Sequence, residues 1–315
     1  MPAKELTARK QEQPEGSREQ SEGLAFYNND SLVLPKTESF TAGVRRKFAR
    51  HRLAVWGLAA LLLLLAASLF APWLAPYHPN EVTDSFGAKP SLAHPFGTDQ
   101  VGRDALSRLL YGTRISLLIG FGTVAVYVAF GTIVGMLAGY YGRWLDMLLM
   151  RLTDIFLSFP YMMVVLIIVS MLGASVTTIM LVLALFKWPT VAMLVRGSFL
   201  SMKQLDYVKA GVALGYGTPR IMLRHMLPNA LGPIIVNATF GVAGTILSEA
   251  GLSFLGMGVK SPHASLGNML HDAQSITVLT DQPWLWLPAG LIILTTVLAI
   301  NFVGDGLRDS LDAKT

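Results

Sequence analysis

Six long apolar stretches punctuate the chain, at residues 53–73, 115–138, 145–172, 176–195, 230–252 and 284–303. A bilayer core of ~30 Å is crossed by ~20 apolar residues in helical form, so each stretch is long enough for one crossing. The third starts with Asp146, Arg151 and Asp154 in its opening turns, which moves its predicted membrane entry to about Ile155. Arg151 and Asp154, three apart on a helix, pair most simply with each other. The expected architecture is an all-α integral membrane protein with about six transmembrane helices.

The polar segments divide the rest. Residues 1–44 are rich in Glu, Gln, Lys and Ser with no apolar period, a composition that predicts a largely disordered tail. Residues 45–315 form the predicted transmembrane domain. Two of its loops, at about 74–112 and 253–283, fall on one side. The first carries Pro72, Pro76, Pro79, Pro90 and Pro95 at or near its start and middle, which forbid a long helix. A third polar stretch, at about 198–228, falls on the opposite side and is too long for a simple turn.

Composition supports this reading. Charged residues make up 14% of the chain and hydrophobic residues 52%, against roughly a quarter charged in a soluble domain. Lys and Arg set the orientation: with the amino terminus inside, the inner segments hold eighteen and the outer segments four. Both termini are therefore expected in the cytoplasm. The net charge of +5 reads as topology and attraction to lipid headgroups rather than as a nucleic-acid surface. Cysteine is absent, which excludes disulfides, thiolate metal sites and cysteine nucleophiles.

The stretch at 198–228 carries the most local information. Leu205, Val208 and Val212 recur at helical spacing, with Asp206 and Lys209 three apart beside them. Gly215 and Gly217 are expected to end that helix. Thr218 as N-cap and Pro219 at the first position announce a second short helix. It bears Arg220 and Arg224, leaves Ile221, Leu223 and Leu227 for burial, and stops at Pro228 before the fifth span. A pair of short helices of this kind fits either an interfacial segment against headgroups or a docking element.

Two polar residues inside spans stand out, because such residues are costly there. Lys187 lies near the middle of the fourth span, just before Trp188 and Pro189. A lysine there does not face lipid; it faces a translocation path, where it attracts a carboxylate, or it pairs with an acid on a partner helix. Glu249 lies toward the outer end of the fifth span. It reads either as a pathway-lining residue or as a buried carboxylate hydrogen-bonded to neighbouring helices. His263 and His271 share the loop at 253–283 without the spacing of a metal site.

The string YVKAGVALGYGTPRIMLRHMLPN (207–229) resembles the signature loop of binding-protein-dependent ABC importer permeases. That pattern has Glu-Ala-Ala, a Gly six residues after the Glu, and Leu-Pro about a dozen further on. Ala210, Gly215, Leu227 and Pro228 hold those places, while Lys209 replaces the usual Glu and Gly211 the second Ala. HPFGTDQVGRDALSRLLYGTRISL (94–117), RLTDIFLSFP (151–160), ILSEAGLSFLGMGV (246–259) and NFVGDGLRDSLD (301–312) resemble the second, C-type permease of dipeptide, oligopeptide and nickel importers. The resemblance spans about residues 45–312.

It implies a type I ABC importer permease fold in a prokaryotic cell membrane, with 198–228 as the cytoplasmic coupling loop. Asp206, Lys209, Ala210, Gly211, Gly215, Arg220, Arg224, Leu227 and Pro228 would contact the ATPase. The implied partners are a homologous second permease, two cytoplasmic ATPase subunits and an extracytoplasmic peptide-binding protein. ATP and Mg would reside on the ATPases, since this chain has no G-x-x-x-x-G-K-[ST] loop. Neither a cofactor nor a catalytic set is expected here. The implied cargo is a dipeptide or oligopeptide, with a nickel complex or another small solute as the alternative. From a different class, an ion-coupled secondary transporter would need an intramembrane acid or histidine relay and inverted repeats; intramembrane acids are few and no clear internal repeat is present.

Overall fold

The computed structural model describes residues 40–260 and 262–311. The tail expected at 1–44 lies outside the described residues up to residue 39. From there a helix, α1 (Phe40–Arg50), crosses the boundary expected at residue 44. The remaining helices are α2 (Arg52–Leu69), α3 (Ala71–Leu74), α4 (Ala105–Tyr141), α5 (Arg143–Ser158), α6 (Tyr161–Leu172), α7 (Val176–Met202), α8 (Asp206–Ala213), α9 (Thr218–Phe254), α10 (Leu266–His271), α11 (Ile276–Asp281) and α12 (Pro283–Leu311). Among the described residues the only β pairing is one bridge, Thr98 to Asp104. Helices are what lipid requires, since each satisfies its own backbone polar groups.

Among the described residues five helices, α2, α4, α7, α9 and α12, are long and apolar enough to cross a membrane. The third predicted span is different. It is the pair α5 and α6, bent by 81° at Phe159 and Pro160. Pro160 lacks the N–H that would continue the helix and pushes Phe159 into the extended region, at ψ 142°. The expected single helix over 145–172 is thereby corrected to two.

The bundle is ordered by contact as α2, α12, α9, α4, α7, with α5 and α6 against α7. The pairing of α4 with α7 is the most extensive. It is set by three glycines of α4 spaced four apart, which let the two backbones meet. A Cβ on Gly131 would lie 2.6 Å from the Trp188 carbonyl oxygen, and one on Gly135 would lie 2.4 Å from that of Ala192. One on Gly139 would lie 2.7 Å from the Phe199 Cβ. Small residues at this spacing are the usual means of close helix contact in lipid, where burial from water supplies no drive. Around this seam sits the largest cluster of buried apolar residues, including Trp188, Val191, Val195 and Phe199.

The proline-rich loop at 74–104 folds as a packed cap. Asp104 is fully buried at the N-cap of α4, where it accepts from the Ser107 backbone N–H (2.8 Å), the Ser107 hydroxyl (2.7 Å) and His94 Nδ1 (2.9 Å). Asp99 accepts from the Val101 and Arg103 backbone N–H groups and from Arg103 Nε at 2.7 Å. The string at 94–117 thus carries a structural network that holds the start of α4.

Replacing Gly135 by Val is expected to force α4 from α7 and to destabilise the protein by roughly 1–3 kcal/mol or more. A lowered melting temperature of the detergent-solubilised protein, with Gly122→Val as a control against a flexible Met180 side chain, checks this.

Candidate functional site

One end of the bundle carries a projecting element made from α8, a glycine turn and the root of α9. Asp206 opens α8, where its charge suits the positive end of the helix dipole, and it pairs with Lys209 at 3.7 Å on the exposed side. Of the apolar residues at 205, 208 and 212, only Val208 is buried, at 3% exposure. Gly211 is buried beside it, with the Tyr216 ring 3.5 Å from where its Cβ would be. A second Ala at 211 would therefore fit, in ordinary van der Waals contact with the ring. Leu205, Tyr207, Val212 and Leu214 remain exposed, the last at 72%. Ala210 lies exposed among them.

Gly215 closes α8 in the left-handed region, at φ +75°. Gly217 does not; at φ −64° it is the N-cap of the next helix, and Thr218 and Pro219 are its first two residues. The expected N-cap at Thr218 is corrected by one position. Tyr216 between the glycines is a residue that spacing alone does not reveal. Its ring stacks on His225 with centroids 5.7 Å apart, and the Arg220 guanidinium lies 4.3 Å over it.

The second short helix expected to stop at Pro228 does not stop there. Residues Ile221–Met226 form a π turn that runs directly into Leu227–Phe254, so α9 is continuous from Thr218. The cause is Pro228, which cannot donate to the Arg224 carbonyl and would clash with it in a regular helix. The wider turn relieves this: the Leu227 backbone N–H reaches Met222 instead, and the Asn229 side-chain amide donates to the His225 carbonyl at 2.7 Å. Ile221, Met222 and Met226 are buried, while Leu223 and Arg224 are exposed and Leu227 is intermediate. The coupling candidates therefore lie on one short helix and the root of a long one, with Gly211 buried and Leu227 partly so.

Two polar joints tie this end to the bundle. Arg196 of α7 donates to both carboxylate oxygens of Asp146 in α5, at 2.5 and 2.7 Å. Lys203 donates to the Tyr140 carbonyl at 2.6 Å and lies over its ring. Arg151 and Asp154 pair only at 4.0 Å and are exposed, so the pair contributes little.

The two intramembrane candidates lie apart. Glu249 is fully buried, accepting from Ser116 at 3.1 Å and Ser253 at 2.7 Å. Ser116 in turn accepts from the Leu266 backbone N–H at 3.1 Å. Glu249 thus fixes α10 against α4 and α9 from within the chain's own packing. Lys187 is half-buried and donates to Thr245 at 3.1 Å and Ser248 at 3.4 Å, both on α9. No acid of this chain pairs with it among the described residues.

Near the opposite end, a cavity of about 310 Å³ is lined by Asp99, Arg103, His271 and Asp272 among others. Burial pushes the Asp272 carboxyl above its usual range, opposed by Arg108 and reinforced by Asp99.

The site and fold together are those of a multi-pass helical membrane protein with a short helical projection at one end. The chain belongs to the family of binding-protein-dependent transport system inner membrane components, whose pattern matches residues 131–315. Residues 39–95 match the N-terminal transmembrane domain of oligopeptide transport permease C. The bundle accordingly has the type I ABC permease fold.

The chain is 40% identical over 274 residues to the dipeptide transport system permease protein of Haemophilus influenzae, covering 85% of this chain and 92% of that one. It is 39% identical over 285 residues to the corresponding protein of Alkalihalophilus pseudofirmus, covering 90% and 91%. It is also 39% identical over 271 residues to the glutathione transport system permease protein of Pectobacterium atrosepticum, covering 85% and 89%.

Asp272→Asn is expected to raise thermal stability at neutral pH. A carboxyl with a raised folded pKa favours folding most when protonated and loses that contribution as pH rises through the folded value. The advantage of Asn should therefore shrink as pH falls, which melting curves at several pH values measure.

Proposed function

We propose that this chain is one of two different permease subunits of an ATP-driven peptide importer, and that α8 docks on a cytoplasmic ATPase subunit. The observation that carries the docking assignment is the face formed by Tyr207, Ala210 and Leu214, with Val212 exposed on the other flank of the helix. It is apolar, exposed and held in place by Val208 and Gly211 beneath it. Exposed apolar groups on a fixed helix are what a partner's groove accepts. Peptide cargo is supported by the relatives, which are named for dipeptide and glutathione transport.

In this reading the pathway lies between this chain and the second permease, and an extracytoplasmic binding protein delivers the peptide. ATP and Mg are held by the ATPases, and this chain performs no chemistry. The excess of Lys and Arg in the segments read as inner supports a cytoplasmic location for the α8 side and for both termini, and the family supports a prokaryotic cell membrane.

Force transfer follows from the joints. Closure of the ATPase dimer displaces α8; Val208 and the stack of Arg220, Tyr216 and His225 pass the displacement to the root of α9. Because α9 runs unbroken from Thr218 to Phe254, a shift at its root reaches the far end of the bundle. Alternating access then needs only a few kcal/mol of differential interaction with each of the two states. Asp206, Lys209, Arg220 and Arg224 rim the contact and steer it, while Gly215, Leu227 and Pro228 set its backbone shape.

Affinity purification of the tagged chain from its native membrane should recover a second permease and P-loop ATPases. Peptide uptake into vesicles by this chain alone, without ATP, would sink the proposal. Val212→Asp together with Leu214→Asp should weaken ATPase recovery by at least about tenfold, since each apolar side chain contributes ~1.5–3 kcal/mol when buried. The permease itself should remain in the membrane at wild-type level.

A further inference from the structure

Lys187 sits eleven residues into α7, about 16 Å along the axis at 1.5 Å per residue, which is deep in the span. Its ammonium group is surrounded by hydroxyls whose protons are already committed. The Thr245 hydroxyl donates to the Gly241 carbonyl at 2.8 Å, and the Ser248 hydroxyl donates to the Gly244 carbonyl at 2.7 Å. Both oxygens are therefore left as acceptors, and both accept from Lys187 Nζ. Since the Ser248 proton is spent, the Tyr161 hydroxyl 3.1 Å away must be the donor to Ser248.

Lys187 thus places two of its three N–H groups on neutral oxygens and keeps the third. Its charge has no counterion: none of the ion pairs among the described residues involves it. Glu249, adjacent to Ser248 in sequence, turns to the other side of α9 and is occupied by Ser116 and Ser253. The cluster is also built by the fold. Tyr161 is the first residue of α6, directly after the break at Pro160, so the 81° bend delivers its ring to α9. A half-buried cation at this depth is costly unless an anion or water-filled space meets it, and Gly244 lies directly beside it, its Cβ position being 3.9 Å from Nζ.

We propose that Lys187, with Tyr161, Thr245 and Ser248 around it, forms a carboxylate-binding site that opens on the surface this chain turns toward its partner permease and the pathway. Two sources offer that chemistry, the free C-terminal carboxylate of a passing peptide and an acidic side chain of the second permease. The cargo source rests on the peptide-import reading; the site itself does not.

The test uses the complete transporter in proteoliposomes, with wild type, Lys187→Met and Lys187→Arg. ATP-driven uptake is compared for one short peptide and its C-terminal amide, each supplied as a preloaded binding-protein complex, and the melting temperature and permease co-purification are measured in parallel. If the carboxylate is the cargo's, Lys187→Met lowers uptake of the free acid about tenfold, spares the amide and the assembly, and Lys187→Arg restores uptake. If it belongs to the second permease, Lys187→Met lowers co-purification, melting temperature and uptake of both peptides together, and Lys187→Arg restores them. Wild-type values for Lys187→Met in every measurement, or losses that Lys187→Arg fails to recover, overturn the proposal. Absence of ATP-driven uptake by wild type would instead sink the peptide-import reading, with the assembly arm still testing Lys187.

Discussion

Close contact between α4 and α7 is the constraint on which the other helices depend. In lipid, helices gain little from leaving the surrounding apolar phase, so they associate where their shapes allow many short contacts. The row Gly131, Gly135 and Gly139 provides such a groove, and the backbone of α7 from Trp188 to Phe199 fills it. With these two helices paired, α9 and α12 have a fixed surface on one side and α5 has one on the other. The charged joint of Arg196 and Asp146 then sets how α5 sits against α7 at the α8 end. A single side chain larger than hydrogen on that row disturbs several interfaces at once.

Prolines shape the molecule in two opposite ways. Pro160 breaks a span because it has no N–H for the preceding turn and holds Phe159 extended, and the chain bends by 81° there. Pro228 leaves the helix intact because the preceding turn widens, and the Asn229 side chain bonds the neighbouring His225 carbonyl. The first proline brings Tyr161 into a polar cluster with Lys187. The second makes the projecting end and the fifth span one mechanical piece, which a separate short helix joined by a hinge would not be. In the proposed reading both outcomes bear on transport: one builds an interior polar site, the other carries motion toward it.

The two ends of the bundle solve different problems. The loop end is closed by hydrogen bonds within the chain, with Asp104, His94, Asp99 and Arg103 satisfying one another and the start of α4. The α8 end is left unfinished, with Val212 and Leu214 facing outward above a buried Val208. An isolated polypeptide gains nothing from that exposure, whereas a subunit that meets a partner does. Family membership and the exposed face therefore point the same way from independent grounds.

Hydrophobic periodicity, charge bias and the strings at 94–117 and 207–229 determined the helical class, the membrane habit and the family, because bilayer thickness and backbone satisfaction leave few alternatives for apolar stretches of that length. The exposed pairing of Asp206 with Lys209 was legible as well, being local to one helix turn. Tertiary structure decided what depends on distant residues: which of Leu205, Val208 and Val212 is buried, that Pro228 is bridged rather than terminal, and that Arg196 holds Asp146. It also separated Glu249 from Lys187, two charges of opposite sign near adjoining spans that face different helices. Side-chain direction across a bundle is set by packing against partners far along the chain, and no local pattern encodes it.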